Sequence, residues 1–116
     1  MGGYNSSTNV FEVTDCRGIK ISCSEETWFG KILGSRPYMK NWLPLVKKAI
    51  EKPHFICRDV EKENREIYYY FHQYKENKYI KIVIKLGSNN KGYLIAAFPT
   101  DSGKDGEKII WTRSNN

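Results

Sequence analysis

Histidine, cysteine and long apolar runs are all scarce in this chain, and each shortage closes off a class of chemistry. His54 and His72 are the only histidines, and no carboxylate pair stands at ligand spacing near either. Zinc and transition-metal centres need such clusters, so no metal is expected. The loop from Asp101 to Gly106 hints at a calcium site but lacks the regular ligand pattern and the closing glutamate. Neither a glycine-rich phosphate loop nor a nucleophile elbow is present, and no cofactor is expected. The three cysteines, Cys16, Cys23 and Cys57, form no metal spacing, and their odd number argues against a disulfide framework. A reducing, cytoplasmic setting follows as the expectation. No stretch approaches membrane-spanning length, and the first nine residues lack the basic-then-apolar form of a signal peptide.

What the chain does have is positive charge. Its 116 residues carry a formal net charge of +6 and a pI near 9.2. Such a surplus favours polyanions through steering and counterion release, without naming the polyanion. A length of 116 residues suits one domain with a single core. Residues 1–9 read as a disordered tail or linker, and 10–116 as the single domain.

Short alternating runs at residues 10–14 and 18–22 flank Asp15-Cys16-Arg17-Gly18, a hairpin signature. Ser24 with Glu25 and Glu26 offers a cap and an acidic first turn for a helix carrying Trp28, Phe29, Ile32 and Leu33. A second helix is expected over residues 37–51, its apolar stripe formed by Met39, Trp42, Leu43, Val46 and Ile50, with Pro44 starting a new turn or kinking it. Strands are expected at 54–59, 67–73, 78–86, 92–98 and 107–113. The fold class is therefore α+β: an N-terminal hairpin and two helices packed on a mainly antiparallel sheet of four to five strands.

Two of those strands carry the functional clue. Ile80, Ile82, Ile84 and Leu86 alternate with Lys81 and Lys85, and Tyr68, Tyr70 and His72 alternate with Ile67, Tyr69 and Phe71. If the two apolar rows pack together, the opposite face gathers lysine, tyrosine and histidine. Metal-free RNA cleavage needs a base for the 2′-hydroxyl, an acid for the leaving oxygen and cations for the phosphorane. Tyr70, His72 and Lys81 are the catalytic candidates. Tyr68, Lys85, Lys31, Arg36 and Arg113 are candidates for holding substrate, and Arg36 precedes a helix start that suits an anion. Each has an ordinary alternative: the tyrosines as cross-strand packing, the lysines as a solvated row, His72 as a surface residue at a strand end.

The order of several short pieces is also familiar. Glu26-Thr27-Trp28-Phe29-Gly30-Lys31-Ile32-Leu33, Arg36-Pro37, Ala49-Ile50-Glu51-Lys52-Pro53, Arg58-Asp59, Arg65-Glu66-Ile67-Tyr68-Tyr69, Ala97-Phe98-Pro99-Thr100 and Glu107-Lys108-Ile109-Ile110-Trp111 together resemble the phage and polymorphic-toxin nuclease domains of the barnase–EndoU–colicin E5/D–RelE-like superfamily. The resemblance spans most of residues 26–113. It implies two N-terminal helices on a four-stranded antiparallel sheet and a metal-independent ribonuclease, commonly a toxin that cuts tRNA or mRNA. It also implies histidine at the positions of Lys31 and Arg36, in a Trp-x-x-His-Ile-Leu-x-x-His-Pro pattern, and threonine at Ala96, so the chain departs from the pattern at three polar positions. The expectation is thus a toxin-type endoribonuclease acting on RNA, with an acidic immunity or antitoxin protein as a further partner. The alternatives are a degenerate nuclease-fold domain that binds nucleic acid or protein, and a phage or mobile-element accessory protein.

Overall fold

Alternation of apolar and polar side chains, repeated along most of the sequence, commits the chain to strands. The computed structural model describes residues 3–103 and 106–113; Met1 and Gly2 of the expected tail, Lys104 and Asp105 of the 99–106 loop, and residues 114–116 of the expected domain lie outside these. Seven strands are formed: β1 (Asn9–Thr14), β2 (Lys20–Ser24), β3 (Phe55–Arg58), β4 (Arg65–Tyr74), β5 (Asn77–Leu86), β6 (Lys91–Thr100) and β7 (Lys108–Thr112). All belong to one sheet, in the order β1-β2-β6-β5-β4-β3-β7. Neighbours run antiparallel except β2 and β6, which pair in parallel through Lys20–Lys91, Ile21–Gly92 and Ser22–Tyr93.

This corrects the expected α+β arrangement of a hairpin and two helices on a four- to five-stranded, mainly antiparallel sheet. Among the described residues the fold is a seven-stranded mixed sheet with only short helical segments. An isolated hairpin leaves a row of backbone donors and acceptors unpaired, and β2 satisfies part of that row by joining β6. The helical region is short because its own residues divide it. Glu26–Ile32 winds as a π-helix, with the Leu33 N–H reaching back to the Trp28 carbonyl, and passes into a single α-turn, α1 (Leu33–Ser35). Ser24 does act at its start, accepting from the Thr27 N–H at 3.1 Å. The expected helix over 37–51 breaks at Trp42 into a 3₁₀ segment, Pro37–Asn41, and α2 (Leu43–Glu51). Pro37 and Pro44 each sit in the first turn of their segment, where a missing N–H costs nothing.

The helical segments cover one face of the sheet. Trp28, Ile32, Met39, Val46, Ala49 and Ile50 bury there against Ile21, Tyr68, Ile80, Ile82, Ile84 and Leu94. Fully burying each large aliphatic side chain stabilises by about 1.5–3 kcal/mol, which makes this layer the main source of stability. At the parallel joint Gly92 allows close approach, since a Cβ there would come within 2.9 Å of both Ile21 Cδ1 and Ile84 Cγ2. Tyr4 stacks on Phe29 with centroids 5.2 Å apart, and the Glu25 N–H donates to the Thr8 carbonyl, so the segment expected to be a tail touches the start of the π-helix. Among the described residues no helix is long and apolar enough to cross a membrane.

The short parallel pairing also positions the site described next. Because β2 pairs only with Lys91–Tyr93, the second half of β6 has no strand on that side among the described residues. The Glu26–Ile32 segment packs against β6. Trp28 and Ile32 anchor it in the core, leaving Lys31 exposed beside that half of the strand.

Candidate functional site

Residues directly opposed in an antiparallel ladder share a face, so register decides which candidates meet. The β4–β5 ladder sets Tyr69 against Lys81, Ile67 against Val83 and Arg65 against Lys85. Tyr68 and Tyr70 oppose Ile82 and Ile80, on the face that the helices cover. The expected surface of Tyr68, Tyr70, His72 and Lys81 side by side therefore does not form. A slip of one residue in pairing exchanges the faces of a whole strand, and in the observed register the Tyr68–Tyr70 row, not the Ile67–Tyr69 row, lies with Ile80 and Ile82.

Each displaced candidate has other work. Tyr68 is fully buried; its hydroxyl donates to Asp15 Oδ2 at 2.6 Å and accepts from Arg17 Nη2 at 2.8 Å. Burial, then the hydrogen bond to Asp15, pushes its phenol far above the ordinary range. Half-buried Tyr70 packs on the core with the His54 ring 4.9 Å away. His72 lies edge-on to Trp42 at 5.6 Å. Arg113 is at the end of β7, where its N–H donates to the His54 carbonyl at 2.9 Å and its guanidinium to the Lys52 carbonyl.

The remaining candidates converge. Lys31, Lys81 and Lys85, joined by Arg65, line a cleft of about 550 Å³ on the open face of the sheet, floored by Ile67, Val83 and Ala96. An adjoining hollow of about 180 Å³ adds Arg36 and shares Lys31, Ala96 and Phe98. Two cations stand near the Phe98 ring, the Arg36 guanidinium 5.0 Å and the Lys81 ammonium 5.8 Å from its centroid. Arg65 and Lys85 are direct cross-strand partners, and like charges so placed repel. An anion held between them would relieve that repulsion.

Two carboxylates temper the charge. Asp59 accepts from the N–H groups of Glu61 and Lys62, holding the turn after β3. Glu107 lies just before β7 with its side chain 5% exposed; its Oε2 accepts from Lys81 Nζ at 3.0 Å and its Oε1 from the Tyr69 hydroxyl at 2.5 Å. Lys81 is thus no free lysine of a solvated row: its side chain is 12% exposed and tied into a Tyr69–Glu107–Lys81 unit. Close by, burial and then the Glu107 charge push the Cys57 thiol up to about 11.

Reading the residues one strand at a time overlooked Glu107, Tyr69, Arg65 and Phe98. Their signal was available only through pairing, which places Cys57 opposite both Ile67 and Ile109 and so brings the start of β7 to this face. Neither histidine lines the cleft, and among the described residues no three histidine, cysteine or carboxylate groups converge as metal ligands. Lysine and arginine carry full charge near pH 7, so the cleft suits fixed anionic groups such as phosphates. Compared with protein-family models, curated proteins and solved structures, the chain matches none.

Proposed function

We propose that this chain is an RNA-binding domain, with a cleft on its seven-stranded sheet that holds the phosphodiester backbone but lacks the groups for fast proton transfer. One observation carries the reading. Lys31, Arg36 and Ala96, where the resemblance implies histidine, histidine and threonine, come from the helical region and from β6 yet line one hollow adjoining the cleft. Cations in place of imidazoles keep the attraction for phosphate and remove the groups that gain and lose protons near neutral pH. Glu107, the carboxylate best placed to act as a base, has one oxygen engaged by Lys81 and the other by Tyr69. Charge stabilisation survives there without a ready proton relay.

The test uses purified protein with labelled tRNA and mRNA in EDTA. Salt-sensitive binding without discrete fragments is expected, together with gain of discrete cleavage in the triple variant Lys31→His, Arg36→His, Ala96→Thr. Discrete fragments from the unaltered protein that vanish in Lys81→Ala would instead establish an active ribonuclease. Absence of any RNA binding would overturn the proposal.

A further inference from the structure

Beside the cationic cleft, on the same sheet face, lies a second hollow of about 390 Å³ with aromatic walls. Phe55 and Tyr69 stack there with centroids 4.8 Å apart, and Tyr79 stands nearly perpendicular to both, at 6.1 and 5.9 Å. Phe71 extends the aromatic surface to solvent, 5.4 Å from Tyr79 and 54% exposed. Asp101, Ser102 and Gly103 form the polar side of the hollow, and Glu107 lines both it and the cleft. We infer that this hollow is a stacking subsite for one unpaired base of a bound RNA strand, an inference that rests on the RNA reading above.

Glu107 lies between the two sites. It connects the wall of one site to the cation of the other, since the Tyr69 hydroxyl donates to one oxygen and Lys81 to the second. The Lys81 ammonium stands only 5.8 Å from the Tyr69 centroid. An aromatic wall and a phosphate-binding cation at that spacing match a nucleotide, which carries a flat π-face and an anionic group on either side of one sugar. Stacking on aromatic side chains is how single-stranded nucleic acid is commonly held, while the backbone follows a basic groove. Here the base packs on Phe55 and Tyr79, backed by the Tyr69 ring, which is itself only 1% exposed; its phosphate lies toward Lys81, and the next phosphate reaches the Arg65–Lys85 pair. The loop side is close-fitting as well. A Cβ on Gly103 would come within 3.2 Å of the Tyr69 hydroxyl and 3.3 Å of Glu107 Oε1, so the loop backbone rests directly on that pair and holds Asp101 and Ser102 at the rim.

Fluorescence anisotropy with a labelled ten-nucleotide single-stranded RNA and an abasic ribose-phosphate oligomer of equal length tests this. The subsite requires the normal strand to bind about tenfold tighter or better, the lower part of the range for one stacked base. Tyr79→Ala should remove that advantage and leave abasic binding unchanged, and Tyr79→Phe should keep it. Unchanged urea midpoints for both variants exclude a folding defect. Equal binding of the two oligomers, or equal weakening of both by Tyr79→Ala, overturns the subsite while the RNA reading stands. If neither oligomer binds, both fall together.

Discussion

Arg17 reaches three acceptors at once from the hairpin turn: Asp15 Oδ2 at 3.1 Å, Glu66 Oε1 at 2.6 Å and the Tyr68 hydroxyl at 2.8 Å. Asp15 and Glu66 are both buried, and this guanidinium is the cation that pairs with both, while Asp15 also accepts from the Tyr68 hydroxyl and the Arg17 and Ile19 N–H groups. Removing one partner of a buried ion network strands the others, at a cost of about 3–5 kcal/mol. Arg17→Met should therefore lower the urea midpoint steeply, and Arg17→Lys should recover only part of the loss, because a compact ammonium lacks the planar fork. His54 gives a separate, pH-dependent contribution. Its Nδ1 accepts from the Phe71 N–H at 3.0 Å, which only an unprotonated nitrogen does, and burial followed by the Arg113 charge lowers its pKa. A lowered folded-state pKa adds stability above the unfolded value near 6.5, and that stability is lost as pH falls through the folded value. Urea titrations of the unaltered protein and His54→Asn should differ most above pH 6.5, and the difference should shrink on acidification.

At the scale of elements, the strands were legible and their assembly was not. Val10 to Thr14, Ile80 to Leu86 and Ile109 to Thr112 lie in the strands that their patterns imply, because alternation is a local property. Tyrosine blurs the next step. With Tyr68, Tyr69 and Tyr70 in succession, both faces of β4 look alike, and only the ladder with β5 separates Tyr68, buried under the helices, from Tyr69, buried on the opposite face beside Glu107. The helical region was legible as apolar spacing, and Pro44 marked its division. The π-winding that sets Lys31 beside β6 was not, since it depends on Trp28 and Ile32 finding the core together. Least legible was the joint of β2 to β6, which brings together residues 20–22 and 91–93 with no local signal in either. Gly92 is the vulnerable point of that joint. Gly92→Val should cost about 1–3 kcal/mol by overpacking against Ile21 and Ile84, read as a lowered urea midpoint.

Across the whole molecule the two sheet faces divide the labour. One is sealed by Trp28, Met39, Val46 and Ile50, and the other presents cations beside an aromatic cluster that Phe71 extends to solvent. The candidate site was legible only as a set of residue types. Lys31, Arg36, Lys81 and Lys85 remain together, and Tyr68, Tyr70, His72 and Arg113 do not join them. Binding to single-stranded RNA should weaken with added salt, and each cation removed from the cleft should reduce the log–log slope by about 0.7. Lys85→Ala is the cleanest case, because Lys85 is exposed and its loss also relieves the repulsion with Arg65. The parallel joint sets an order in time as well. During synthesis β1 and β2 leave the ribosome long before β6, so the hairpin must wait, edge unprotected, for a partner some 70 residues downstream. Closure of that long loop is then the late, slow event of folding, and the nascent chain is most prone to wrong strand pairing in the interval before Lys91 emerges.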